Sequence, residues 1–238
     1  WQLRVEIAAC YRLIALQGWD DLVFTHISGR VPGGEGHFLI NPFGMLFEEI
    51  TASSLVKIDK HGEKVLESEY DANGPGFVIH GAVLGAREDI NCVIHLHTDH
   101  GQAVSAQKAG LLPLTQTAMF LDGDIGYHDF EGSATDMDER ERLVADLGNR
   151  HCMILRNHGT LAAGATPAQA YTRIYQLEKA CTVQVMAQAG GELVMPTAEA
   201  IARTAELSQS GLAKGAAEKL VWPGLIRRLE RVDPGYKD

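Results

Sequence analysis

Cys92-Val93-Ile94-His95-Leu96-His97-Thr98 is the stretch on which the fold turns. Its apolar and β-branched residues, without Gly or Pro, read as a buried strand. Residues two apart on a strand project from the same face, so the His95 and His97 imidazoles can reach one point in space. Taken alone, the pattern also suits a histidine that faces solvent or bonds a backbone carbonyl. Asn157-His158-Gly159 supplies a third histidine at the end of a second apolar run, residues 151–156, where Gly159 permits a tight turn. Three histidines with an open fourth position are the donor set of a catalytic divalent metal, and His95, His97 and His158 are the expected ligands.

On the N-terminal side of this strand, residues 77–86 have helical periodicity, with Pro75 where a first turn tolerates it. Residues 2–17 read as a helix stopped by Gly18, and 23–31 with 37–40 as a hairpin across Pro32-Gly33-Gly34-Glu35-Gly36. Two short strands are expected at 55–59 and 64–66. On the C-terminal side, helices are predicted over 102–108 and 138–147, with strand and loop between 112 and 132. Residues 160–163 are the expected hairpin partner of 151–156. The longest predicted helix spans 167–189, with Thr166 as cap, Pro167 in first position and Gly190-Gly191 as stop. Helices near 197–209 and 215–220 precede Trp222-Pro223, which are expected to dock the tail onto the body. No internal repeat or linker interrupts the chain, so a single domain over 1–238 is expected, with a mixed sheet flanked by helices.

With 45% hydrophobic and 22% charged side chains, the 238 residues can bury one substantial core. The net charge of −10, without a basic cluster, argues against a reader of phosphate backbones, so nucleic acid is not an expected partner. No apolar run approaches the roughly 18 to 20 residues of a membrane span. Arg4 and Glu6 break the apolar pattern of residues 1–16, so neither signal peptide nor anchor is read, and a cytoplasmic protein is expected. Cys10, Cys92, Cys152 and Cys181 form no CxxC pair and read as reduced core residues.

Gly76-Phe77-Val78-Ile79-His80, the 92–98 strand and Ile154-Leu155-Arg156-Asn157-His158-Gly159 resemble, in that order and spacing, the class II aldolase/adducin family. Residues 38–44, 51–57 and 126–132 resemble its adducin head branch. The resemblance covers roughly residues 2–195 and implies a three-layer α/β/α fold around a largely antiparallel sheet. It implies a cyclic homotetramer, and zinc on His95, His97 and His158, with iron, manganese or cobalt also compatible with imidazole. Aldolases of the family carry a general-base Glu about nineteen residues ahead of the HxH; counting back from His95 reaches Gly76, so the Glu is absent. The pairs that hold phosphate in those enzymes correspond here to Thr25-His26, Phe43-Gly44 and Gly74-Pro75, so a phosphorylated sugar is not expected. Family aldolases also borrow a tyrosine from a neighbouring subunit, a part for Tyr236 unless it belongs to a packed tail.

A three-histidine metal can take a small 2-oxo or 2-hydroxy acid as a bidentate ligand and act on it as a Lewis acid. Retro-aldol cleavage needs a base for a hydroxyl proton, whereas decarboxylation has no obligatory carboxylate base. The missing Glu therefore shifts the expectation toward decarboxylation or an oxidative variant, within a divalent-metal lyase or decarboxylase of a small, non-phosphorylated acid. His26 and His80 are the acid–base candidates, with a core hydrogen bond as the even alternative for His80. Asn41, Gly44, Thr98 and Tyr236 are the expected substrate contacts. His128 is a weaker third candidate, which surface exposure explains as well, and His37, His61, His100 and His151 are read as ordinary surface or strand-end residues. Gly76 is expected to leave a vacancy beside the metal for water or substrate. Two alternatives stand beside the lyase. One is a non-catalytic adducin-like assembly module, favoured by loss of the Glu; the other is a non-haem iron oxygenase of an aryl oxo acid, by analogy with aminocoumarin-pathway oxygenases.

Overall fold

The protein is described by a computed structural model that covers residues 1–33, 36–72, 74–132, 138–209 and 215–238, without the side chains of 74, 75 and 209. Seven strands form one sheet: β1 (His26–Arg30), β2 (Phe38–Ile40), β3 (Val56–Ile58), β4 (Cys92–Leu96), β5 (Ile125–His128), β6 (Cys152–Leu155) and β7 (Gly159–Gly164). Their order is β3-β2-β1-β4-β7-β6-β5, and every neighbouring pair is antiparallel except β5–β6. The mixed, largely antiparallel sheet expected from the sequence is thus present.

Among the described residues the α-helices are α1 (Gln2–Gln17), α2 (Gly74–Ala86), α3 (Asp99–Ser105), α4 (Gln116–Met119), α5 (Glu139–Leu147), α6 (Pro167–Ala189), α7 (Ala198–Gln209) and α8 (Trp222–Val232). One face of the sheet packs against α2 and α5 through Val93, Leu161, Ile79, Val83 and Leu143. The other packs against α1, α3, α6 and α8 through Cys92, Ile94, Leu96, Tyr11, Val104, Ile174 and Leu229. Helices on both faces bury all five residues of β4, which is why its sequence reads as a continuous apolar run instead of an alternation. Each Ile or Leu sealed there contributes about 1.5–3 kcal/mol.

Several boundaries differ from the sequence reading for local reasons. Helix α3 begins at Asp99 and not at 102, because the Thr98 hydroxyl caps it by accepting from the Gly101 N–H at 2.9 Å. Residues 64–66 are not a strand; a single bridge joins Ile58 to Lys64. Pro223 begins a helix instead of ending the body, so α8 was not anticipated. Trp222 does dock the tail, its ring edge-on to Tyr171 with centroids 6.2 Å apart. Gly34 and Glu35 of the expected hairpin turn lie outside the described residues. The four cysteines are buried and unpaired. No helix among the described residues is long and apolar enough to cross a membrane.

Candidate metal centre

His95 and His97 emerge from the end of β4, and His158 from the turn between β6 and β7. His95 is fixed by its Nδ1–H, which donates to the Thr160 carbonyl at 2.9 Å. A carbonyl can only accept, so the proton sits on Nδ1 and the lone pair on Nε2. His97 Nδ1 lies 3.1 Å from an Asp21 carboxylate oxygen, which assigns the same tautomer by the same reasoning. The two Nε2 atoms are then 2.9 Å apart, and His158 Nε2 is 3.3 Å from that of His95. Lone pairs at this range repel unless an electrophile lies between them. Tetrahedral zinc, with Zn–N bonds near 2.0–2.1 Å, spaces its nitrogens by about 3.3 Å. The donor set therefore fits a divalent ion. Burial holds the His95 imidazole well below its ordinary value, and burial and then His97 bring His158 down to about 4. The rings of His95 and His158 stay neutral near pH 7, the state in which imidazole binds metal.

The approach of His158 depends on Gly159. A Cβ there would stand 2.3 Å from the Leu96 carbonyl oxygen and 3.1 Å from His97 Cδ2. The preceding Asn157 takes a left-handed φ of 56°, which Asn tolerates better than most residues. Because the obstructing atom is backbone, Gly159→Ala is expected to push β7 away from β4. The expected result is a loss of about 1–3 kcal/mol in urea unfolding, with bound metal per chain falling in elemental analysis. Wild-type metal content in the variant would count against the fit.

The space at Gly76 is not vacant, which corrects the sequence reading. A Cβ at Gly76 would lie 2.2 Å from Cδ2 and 2.6 Å from Nε2 of His26, so the His26 ring occupies the place a side chain would take. His26 pairs with His95 across β1–β4, and the rings are 5.2 Å apart. His26 Nδ1 lies 2.8 Å from His80 Nε2, and His80 Nδ1 lies 2.6 Å from Ser28 Oγ. The two acid–base candidates thus form one buried chain, Ser28–His80–His26, with His26 Nε2 turned toward Gly76. Burial, then His80, lowers the His26 imidazole well below its ordinary value; burial, then His95, does the same to His80. Asn73 and the Pro75 side chain lie outside the described residues.

The expected substrate contacts fare differently. Asn41 is wholly buried and spends its amide oxygen on the Tyr11 hydroxyl at 3.0 Å, on the α1 side of the sheet and away from the histidines. The Thr98 hydroxyl is committed to capping α3 and to Glu178. Tyr236 is 1% exposed, its hydroxyl 3.2 Å from Glu230, while the backbone of 236 and 238 bonds that of Ala52 and Ser53. The tail is therefore packed onto its own chain, and burial, then Glu230, pushes the Tyr236 phenol up to about 12. Asn41, Thr98 and Tyr236 thus have polar atoms engaged within the chain, while Gly44 lies exposed in the loop after β2 with φ 93° and open space around it. His128 is not a surface residue: it is buried, 2.8 Å from Asp146 and 3.3 Å from Glu139. His61 is exposed, and His37, His100 and His151 are half-buried, the last 2.9 Å from Asp124. The sequence reading missed Asp21, Ser28 and Glu178. Asp21 sits in an aperiodic loop, where no spacing rule ties it to a histidine 76 positions away.

A largely antiparallel sheet between helical layers, with three imidazoles converging where two strands meet, defines a class of α/β/α proteins built around a histidine triad. Residues 5–185 match the family described as Class II Aldolase and Adducin N-terminal domain. The whole chain is 52% identical to a Caulobacter vibrioides protein provisionally named as an aldolase class 2 protein, covering 93% of it. It is 44% identical over 194 residues to alpha-adducin of Mus musculus, which is 79% of this chain and 26% of that protein. Among solved structures, an aldolase II superfamily protein from Pseudomonas syringae superposes with a TM-score of 0.94 at 48% identity, covering 100% of this chain and 96% of that one. L-fuculose 1-phosphate aldolase from Glaciozyma antarctica superposes with a TM-score of 0.88 at 26% identity, covering 100% and 92%. The chain belongs to the class II aldolase/adducin family.

Proposed function

We propose that this chain is a divalent-metal-dependent carbon–carbon lyase or decarboxylase acting on a small, non-phosphorylated 2-oxo or 2-hydroxy acid. His95, His97 and His158 hold the ion, zinc being the expected one. The observation that carries the reading is the His26 ring lying in the cradle of Gly76, beside His95 and backed by His80 and Ser28. A dication held by the three imidazoles supplies a Lewis acid toward a substrate oxygen. His26, neutral near pH 7, accepts or returns a proton at Nε2. A substrate carboxylate drawn into the site raises its basicity by opposite charge. His80 and Ser28 fix the ring and share the proton's charge along the hydrogen-bonded chain. The proposal includes a single domain and a cytoplasmic homotetramer.

Similarity to L-fuculose 1-phosphate aldolase from Glaciozyma antarctica supports aldol cleavage as the kind of reaction, but Phe43 and Pro75, at positions corresponding to the phosphate-holding pairs, carry no side-chain donor. Phe43 in particular offers an exposed apolar ring where a hydroxyl is needed. Cleavage of fuculose 1-phosphate is therefore expected to stay at background; turnover at ordinary enzyme rates would overturn that expectation. The similarity to alpha-adducin favours a second reading, an assembly module without turnover. Elemental analysis of protein purified without added metal, followed by a panel of 2-oxo and 2-hydroxy acids with and without O₂, separates the readings. Bound metal and oxygen-independent cleavage support the lyase. Turnover only with O₂ and iron points to an oxygenase, and no metal with no turnover to the module.

A further inference from the structure

On the far side of the sheet from His26, Glu178 of α6 is 1% exposed and meets two hydroxyls, one on each carboxylate oxygen. Thr98 Oγ1 donates to Oε2 and Thr160 Oγ1 to Oε1. An ionised carboxylate can only accept, so the Thr98 proton goes to Glu178, while the same oxygen accepts from the Gly101 N–H at 2.9 Å. Both threonines adjoin the histidine cluster. Thr98 follows His97 directly; Thr160 follows Gly159, and its carbonyl holds His95. Leu96 and Thr160 are register partners across β4–β7, so the carboxylate bridges the end of one strand and the start of the other.

We infer that Glu178 is a positioning residue which clamps the ends of β4 and β7 together, so that His95, His97 and His158 converge. The inference rests on the proposed metal site, and it explains three otherwise separate facts. A carboxylate in a core is expensive unless its oxygens are satisfied, and an apolar side chain would fill the volume at lower cost. Among the described ion pairs Glu178 has no cation partner, so the two hydroxyls are what offset its burial. Burial raises its carboxyl to about 7, against the lowering by Thr160 and Thr98. Finally, Gly101 is the residue that lets the clamp close: a Cβ there would lie 2.8 Å from Thr98 Oγ1, 3.0 Å from Glu178 Oε2 and 3.0 Å from Thr160 Cγ2. Two segments far apart in sequence, 98–101 and 160, are shaped to one carboxylate beneath the site.

The test compares wild type with Glu178→Ala, Glu178→Gln and Thr160→Val, using Co²⁺ affinity, the visible spectrum of bound Co²⁺, and amide hydrogen exchange of metal-free protein. Removing a group that orients metal ligands is expected to weaken metal binding by about 10- to 100-fold. Glu178→Ala should show that loss, an altered Co²⁺ spectrum, and faster exchange confined to residues 96–98 and 158–161. Glu178→Gln can accept from one threonine and donate to the other, so near-wild-type affinity and spectrum are expected of it. Thr160→Val keeps shape and loses the hydroxyl, and carries the test if Glu178→Ala does not fold. Wild-type spectrum, affinity and exchange in Glu178→Ala, or in Thr160→Val when the alanine variant is unfolded, would overturn the inference. If wild type itself binds no Co²⁺, the metal reading fails, while the exchange of metal-free protein still decides the clamp.

Discussion

Gly76→Glu alone is expected to cost about 3 kcal/mol in urea unfolding, the upper end of overpacking in a filled core. Adding His26→Asn should recover most of that loss. The Cβ alone would overlap the His26 ring at 2.2 Å, and the ring cannot swing aside because His80 holds its Nδ1 and β1 holds its backbone. Removing the ring opens the space that the Glu side chain then fills. The two positions are therefore one exchanged pair: the sequence resemblance puts a carboxylate at 76, where this chain has hydrogen and the ring of His26 instead. Coupling between the sites should reach about 1–3 kcal/mol in a double-mutant cycle. Activity should follow differently. His26→Asn by itself removes the proposed proton acceptor, and the expected loss in turnover is about 10²- to 10⁴-fold. The double variant regains a carboxylate base, so aldol cleavage is the activity to look for in it. If Gly76→Glu is as stable as wild type, the ring does not fill that space, and the exchanged-pair account is wrong.

What made the fold legible was redundancy. Residues 92–96 are apolar on both faces, α6 carries a cap, a Pro in its first turn and a glycine stop, and β1–β2 and β6–β7 are local hairpins whose partners are close in sequence. The histidine triad was legible for a related reason: period-two spacing puts His95 and His97 together, and a turn glycine marks His158. What could not be read was anything set by side chains meeting through the sheet. Asn41 looks like a loop amide beside Pro42, yet Tyr11 of α1 claims it. Gly76 looks like a deletion of chemistry, and only packing reveals that a histidine from position 26 has moved into its place. Glu178 looks like one more polar residue on a long helix until Thr98 and Thr160 are seen to converge on it. Helix α8 was missed because a Pro after an apolar residue stops a helix or starts one, and sequence alone does not choose.

Metal-free protein is expected to lose stability as pH falls below about 6.5, and the loaded protein to lose its added stability over the same range. Burial depresses His26, His80 and His95 well below their ordinary value and brings His158 to about 4. The unfolded chain takes up protons at these imidazoles before the native chain does. Their contribution is thus fully present above the unfolded value of about 6.5 and is lost as pH falls through the folded values. His158 alone accounts for a change on the order of 3 kcal/mol. Glu178 works in the opposite sense: with its folded value raised to about 7, its contribution is present below the unfolded carboxyl value of about 4.5 and declines as pH rises to 7. Four imidazoles against one carboxyl leave acid destabilisation as the net direction. Metal adds to this, because protons compete with it for the same nitrogens. Near pH 7.5, Zn²⁺ at about a thousandfold excess over its dissociation constant should add about 4 kcal/mol. That increment should vanish in His95→Ala and shrink toward zero in wild type as the histidines protonate. Urea midpoints measured across this pH range with and without Zn²⁺ check both statements. An increment that survives His95→Ala would place the stabilising ion elsewhere, and a flat metal-free profile would mean that these imidazoles are not held neutral by burial.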